Sequence, residues 1–199
     1  FFLPDNIISP KAARIAAAIS CLVTLVGAFA LGTLIGILFL IGLVLGYAYS
    51  ARPFNWKARP LASFLSNAIA HGILLFIAGF VAGGGELARG IPYSIPYFFA
   101  VGAVFIGTTI PDYDGDKITG KITPAVSLGL RAASICMAIC AYAAAASFPK
   151  TGEVSVATLA QDYAFGRDGI AALKAALAAI RPNVKVVSEE YAPQTTTDF

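Results

Sequence analysis

Apolar residues run along this chain in blocks too long and too continuous for the core-facing stripe of a water-soluble helix. Residues 15–31 and 34–49 form two such blocks, parted only by Gly32-Thr33, and residues 61–82, 95–110 and 125–148 form three more. Each is close to the roughly 17–25 residues that carry a helix across a hydrocarbon layer of about 30 Å. Inside lipid a backbone must satisfy its own hydrogen bonds, so the pattern predicts about five transmembrane α-helices packed as a bundle. Glycines at 27, 32, 36, 42 and 46 are expected to let neighbouring helices approach closely.

After Phe148 the pattern changes. Residues 155–162 and 184–193 have β character, and FGRDGIAALKAALAAI at 165–180 has helical periodicity. Strand, helix and strand in that order predict a parallel βαβ unit. About fifty residues cannot cover both faces of such a sheet. The expected fold class is therefore an all-α transmembrane bundle over residues 1–148, followed by a short, incomplete βαβ segment over 149–199.

Composition narrows the function classes. The chain of 199 residues is 58% hydrophobic and 13% charged, with a mean hydropathy of +0.77, where soluble domains run near 45–50% and roughly 25%. A disordered chain, a disulfide-stapled module and a nucleic-acid binder are excluded, the last because a net charge of +3 is small and dispersed. Cys21, Cys136 and Cys140 lie inside apolar runs without His or Cys neighbours, which reads as packing rather than a disulfide or zinc site. His71, inside an apolar helix, reads as a buried structural residue. The chain opens on Phe1 with no signal-peptide pattern, which reads as a piece of a longer protein.

Orientation follows from the basic residues beside the spans. Lys11 and Arg14 precede the first, Arg52, Lys57 and Arg59 follow the second, and Lys117 and Lys121 follow the fourth. The other side offers the Gly-Thr break and GGGELARGIPY, in which Glu86 and Arg89 cancel. The 50–60 and 111–123 loops are expected to face the cytoplasm, and the tail after Phe148 the outside.

Those two loops carry the candidate chemistry. In PDYDGDKITGKIT at 111–123, Asp112 and Asp116 stand one helical turn apart and Asp114 adds a third acid. Carboxylates of this kind suit Mg²⁺, which commonly links one or two of them to substrate phosphates. Three acids within five positions repel one another unless a cation, or Lys117 and Lys121, compensates them. A solvated acidic turn neutralised by its own lysines is the plain alternative. In YSARPFNWKAR at 49–59, Tyr49, Ser50, Arg52, Lys57 and Arg59 offer hydroxyls and cations at headgroup depth. Ordinary interface anchoring is the plain alternative there. An acidic loop and a basic loop over one apolar bundle suit a lipid-tailed diphosphate, its tail among the helices and its head at the mouth.

The pattern YSxxPxxxK at 49–57, followed by DxxxDxxxG at 112–120, resembles the UbiA superfamily of intramembrane prenyltransferases. Its middle loop is often YSxPPxRxK. Its second aspartate-rich motif often reads D-x-x-G-D-x-x-x-G-K-x-T, matched here by Asp112, Gly115, Asp116, Gly120, Lys121 and Thr123. The resemblance covers about residues 5–148, the third to seventh of the family's nine helices, with PDNIISPKAA similar to the stretch after the first aspartate motif. Arg52 stands where proline is common and Asn55 where a basic residue often sits. The first motif, N-D-x-x-D, has no counterpart in these residues, which implies that the chain by itself is inactive.

The resemblance implies Mg²⁺ held by Asp112 and Asp116, with Asp114 third. It implies Lys57 and Tyr49 as catalytic contacts, and Lys57, Arg59, Ser50, Lys117 and Lys121 as ligands of a prenyl diphosphate. The prenyl group would pass to an aromatic or lipid acceptor, as in quinone biosynthesis, within a bacterial or archaeal plasma membrane. Residues 153–199 resemble something else, the strand–helix–strand that opens the second lobe of periplasmic binding proteins of amino-acid ABC importers. Tyr163 or Phe165 would stand at that family's ligand-touching step. With one lobe absent no ligand site is expected, and two partial genes joined together would account for the chimera. The alternative function on this resemblance is a membrane-anchored solute-binding component of an ABC-type amino-acid transporter.

Overall fold

The structure, a computed structural model, describes residues 8–161 and 164–192. Five helical rods in it are long and apolar enough to cross a membrane, as the hydrophobic pattern predicts. They are α1 (Pro10–Leu31), α2 (Thr33–Ser50), a rod spanning Pro60–Ala82, α5 (Leu87–Thr109) and α8 (Leu130–Ser147). The third rod comprises α3 (Pro60–Asn67), a π-helical stretch (Ala68–Leu74) and α4 (Leu75–Ala82). Between α5 and α8 lie two short helices, α6 (Tyr113–Ile118) and α7 (Pro124–Leu128). The chain reverses at Gly32, 51–59, 83–86 and 110–129, so the 51–59 and 110–129 segments emerge at one end of the bundle.

Local chemistry sets the ends of these elements. Ser9 caps α1 by accepting the Ala12 N–H at 3.1 Å, with Pro10 in the first turn, where its missing N–H costs nothing. Gly32, at φ 151, separates α1 from α2. Ala28 is the buried residue of α1, and the exposed apolar side chains of this helix are what lipid, rather than water, accepts as solvent.

Two boundaries differ from the sequence expectation. Residues 87–93, read as part of an outer loop, are the first turns of α5, which carries Pro92 and Pro96 in its interior. Proline ends helices in water, but in a membrane bundle neighbouring groups re-satisfy the freed backbone. At the other boundary, the 125–148 block divides. Gly129, at φ +82, ends α7 before α8 begins at Leu130.

Packing also falls differently from the glycine expectation. Gly27, Gly42 and Gly46 have no neighbouring atom within 4 Å of a built Cβ, and Gly36 meets the Phe29 ring. The tight backbone approach is at Gly72, where a Cβ would lie 2.7 Å from the Phe98 Cα and 2.8 Å from the Tyr97 carbonyl of α5. The π-helical stretch presents Gly72 to α5 and leaves His71 exposed, so the expected buried histidine is corrected to a surface one. Cys136 and Cys140, with Met137, pack against the buried cluster of Ile106, Ala125 and Ala133, the role expected of them, whereas Cys21, read the same way, is corrected to an exposed residue of α1.

The tail forms the expected βαβ unit: β1 (Val154–Gln161), α9 (Ala164–Ile180) and β2 (Val184–Ala192). The strands pair in parallel from Val154 opposite Val184, with an irregularity after Val156. The unit is tied to the bundle. Val156, Leu177 and Val184 share a buried cluster with Ala145 of α8. The Arg181 guanidinium donates to the Phe148 carbonyl at 3.0 Å and to that of Ala146, and Asn183 donates to Pro149 and Gly152 at 2.9 and 2.8 Å. Arg181 thereby satisfies carbonyls that α8 leaves open at its C-terminus. Tyr163 and the Phe165 side chain lie outside the described residues.

Candidate active site at one end of the bundle

The acidic loop is a short helix closed by a glycine turn. Asp112 precedes α6, and the Asp116 N–H donates to the Asp112 carbonyl at 2.8 Å. At the far end Gly120 adopts φ +70. Its N–H reaches the Lys117 carbonyl at 3.3 Å, and the Lys121 N–H reaches the Asp116 carbonyl at 2.8 Å. This pair of bonds is the Schellman motif, which glycine enters without steric cost. The Thr119 hydroxyl adds bonds to the Gly115 and Asp116 carbonyls at 2.8 and 3.2 Å.

The loop is then anchored downstream. Thr123 caps α7 by accepting the Val126 N–H at 3.4 Å, and Pro124 follows in the first turn. The Ala125 N–H donates to the Thr109 hydroxyl at 3.3 Å, and that hydroxyl donates to Ile106 at 2.7 Å. Both ends of the loop are thus fixed to the last turn of α5.

The glycine turn brings Lys121 back over Asp116. Its ammonium donates to Asp116 Oδ1 at 2.9 Å. Asp116 is only 7% exposed, whereas the Lys121 side chain is 59% exposed. Asp116 Oδ2 is buried and has no hydrogen-bond partner. A buried acceptor left unmatched costs about 1–3 kcal/mol, more when charged, so this carboxylate is one donor or cation short. The hydrogen bond to Asp116 raises the Lys121 pKa above its ordinary value; desolvation opposes this, and Asp116, Asp112 and Tyr49 add attraction.

The remaining predicted residues are less engaged. Asp112 and Asp114 are exposed, and the Lys117 ammonium sits 5.6 Å from the Tyr113 ring centroid. Among the described residues no three His, Cys, Asp or Glu side chains converge to hold a metal ion. The reason lies in the short helix: Asp112 and Asp116 share a face, while Asp114, two residues from each, points elsewhere. A divalent ion still fits the pair, because Asp116 Oδ2 is unpartnered and Mg²⁺ takes one or two carboxylates beside phosphate oxygens.

The basic loop runs from Ser50 through a cis Arg52-Pro53 bond to a single 3₁₀ turn, Trp56–Ala58. Asn55 holds a left-handed conformation at φ 45, which asparagine tolerates better than most side chains. Phe54 and Trp56 meet edge to face at 6.3 Å. Arg52, Pro53, Phe54, Asn55, Ala58 and Arg59 line an open hollow of about 630 Å³. Ser50, Lys57 and Arg59 are exposed at this end, and neither Lys57 nor Arg59 is in an ion pair among the described residues. The structure thus brings Lys121 onto Asp116, and leaves Asp112, Lys57, Arg59 and Ser50 exposed. Thr109 and Thr119 escape sequence reading. Their one signal is a hydroxyl three or four residues beyond a helical carbonyl.

A helical membrane bundle bearing carboxylates and cations at one end of its rods defines the class. Residues 2–179 match the UbiA prenyltransferase family, and the chain belongs to that family. Over 107 residues it is 35% identical to a protein of Oryza sativa subsp. japonica described as probable homogentisate phytyltransferase 2, chloroplastic; the match takes in 50% of this chain and 28% of that one. A UbiA homolog from Archaeoglobus fulgidus, solved bound to Cd²⁺, shares the fold at a TM-score of 0.63 and 28% identity, over 70% of this chain and 51% of that chain. The chain therefore spans about half the length of the archaeal structure and less of the rice protein.

Proposed function

We propose that the chain carries the second aspartate-rich site of an intramembrane prenyltransferase. It would move a prenyl group from a prenyl diphosphate to an acceptor. The observation behind this is the buried, half-satisfied carboxylate of Asp116, with Asp112 one turn away along the chain and the Lys121 ammonium bonded to it. Asp112 and Asp116 would hold the divalent ion, Mg²⁺ by the chemistry of paired carboxylates, with Asp114 adding charge from another face. When bound, that ion supplies positive charge to the departing diphosphate.

The chain's own cations do related work. Lys57, Arg59, Lys117 and Lys121, with the Ser50 and Tyr49 hydroxyls, would bind diphosphate oxygens and stabilise the negative charge that grows on them. Apolar helices would house the prenyl tail and keep water from the allylic carbon. The likeness to a rice protein described as a probable homogentisate phytyltransferase favours an aromatic acceptor over a lipid alcohol. The distribution of Lys and Arg supports a cytoplasmic position for this end of the bundle. Residues 1–148 form the catalytic part and 149–199 a separate unit on this reading. The 199 residues contain no N-D-x-x-D sequence, so binding without turnover is expected of the chain alone.

The test is Mg²⁺-dependent pyrophosphate release from a prenyl diphosphate by the chain joined to an upstream N-D-x-x-D segment. Asp112→Asn and Asp116→Asn are each expected to lower release by about 100-fold or more. Full release in the presence of chelator, or with both acids neutralised, would overturn the assignment. The second reading, a solute-binding component, has the parallel βαβ unit in its favour. Calorimetry of the chain with free amino acids separates the two, and no heat of binding is expected.

A further inference from the structure

Lys121 is held over Asp116 by backbone geometry, and that placement has a use. The φ of +70 at Gly120 and the Lys121 N–H to Asp116 carbonyl bond at 2.8 Å place the Lys121 side chain beside that of Asp116. The partners are unequal. Asp116 is buried and fixed in α6, whereas the Lys121 stem is more than half exposed and free to swing. A single ammonium satisfies Oδ1 and leaves Oδ2 unpartnered.

We propose that Lys121 is a resident counter-ion, which occupies Asp116 while the site is empty and passes to the diphosphate when substrate arrives. This inference rests on the reading of Asp112 and Asp116 as a metal-holding pair. Without substrate, the lysine charge competes with a divalent cation for the same carboxylate, so metal alone binds weakly. A diphosphate offers the ammonium a more highly charged acceptor close by, and the exposed stem follows it at little cost. Asp116 is then released to the metal. Metal and diphosphate thereby bind as a coupled pair, each raising the affinity of the other by the same factor. No bond is made or broken in this exchange.

The experiment uses the chain in detergent, with Mn²⁺ as the metal probe and inorganic pyrophosphate as the second ligand. Mn²⁺ affinity is read by electron paramagnetic resonance with and without pyrophosphate. Lys121→Met is expected to tighten Mn²⁺ binding in the absence of pyrophosphate by about fivefold, the effect of removing one modestly screened competing charge. The gain in Mn²⁺ affinity that pyrophosphate brings should shrink by a similar factor. Lys121→Arg, which keeps a charge at that place, should retain most of the coupling. Unchanged Mn²⁺ affinity and unchanged coupling in Lys121→Met, with normal helicity, would overturn the proposal. Mn²⁺ binding that is indifferent to Asp112→Asn and Asp116→Asn would instead overturn the metal-pair reading beneath it, so the two failures are distinguishable.

Discussion

At the scale of single residues, the site depends on two positions where the backbone turns left-handed. Gly120 closes α6 at φ +70, and any L side chain there costs about 1–2 kcal/mol. Gly120→Val is expected to lower the melting temperature in detergent and to weaken the Lys121–Asp116 contact, since both follow from one turn. Asn55 holds φ 45 in the basic loop. This gives a physical reason for asparagine at this position: a left-handed bend is easier for Asn than for most other side chains. Asn55→Gly should leave stability near its starting value and Asn55→Val should reduce it, with thermal unfolding as the measure.

Helices meet one another according to rules that single residues do not reveal. The third rod changes to π-helical hydrogen bonding over Ala68–Leu74, and through that change Gly72 rather than His71 packs on α5. A methyl at Gly72 would strike backbone atoms of Phe98 and Tyr97, which cannot rotate away. Gly72→Ala is therefore expected to destabilise the bundle by about 1–3 kcal/mol, as overpacking does. Gly42→Ala is the matched control. It has open space around it and gains about 1 kcal/mol of helix propensity, so its melting point should hold or rise. Prolines 92 and 96 belong to this scale too, because only the surrounding helices decide that α5 continues through them.

Across the whole molecule, the contact that matters most is the one joining tail to bundle. Arg181 and Asn183 bond to carbonyls at 146, 148, 149 and 152, and the buried cluster beneath them mixes Ala145 with Val156, Leu177 and Val184. The family match likewise runs to residue 179, past the change in composition at Phe148. Arg181→Ala should expose residues 149–153 to protease and speed amide exchange in β1, while the melting of the five long rods stays where it was. Hydrogen exchange read by mass spectrometry checks both halves of that statement.

The linear pattern of the chain was enough to determine the membrane bundle, the βαβ tail and the one-turn spacing of Asp112 and Asp116. Each follows from a short-range quantity: the length of an apolar run, the period of a strand or helix, a spacing of four. Tertiary structure alone decided where α5 begins, which glycine lies tight against a neighbouring backbone, and that His71 faces outward. It also decided that Asp116 is buried with one oxygen unmatched and that Lys121 covers the other. Burial and missing partners are properties of surroundings assembled from separate segments, here the last turn of α5 tied to the start of α7, and the turn that carries Lys121 onto Asp116. A sequence names those segments, but only their packing brings them into contact.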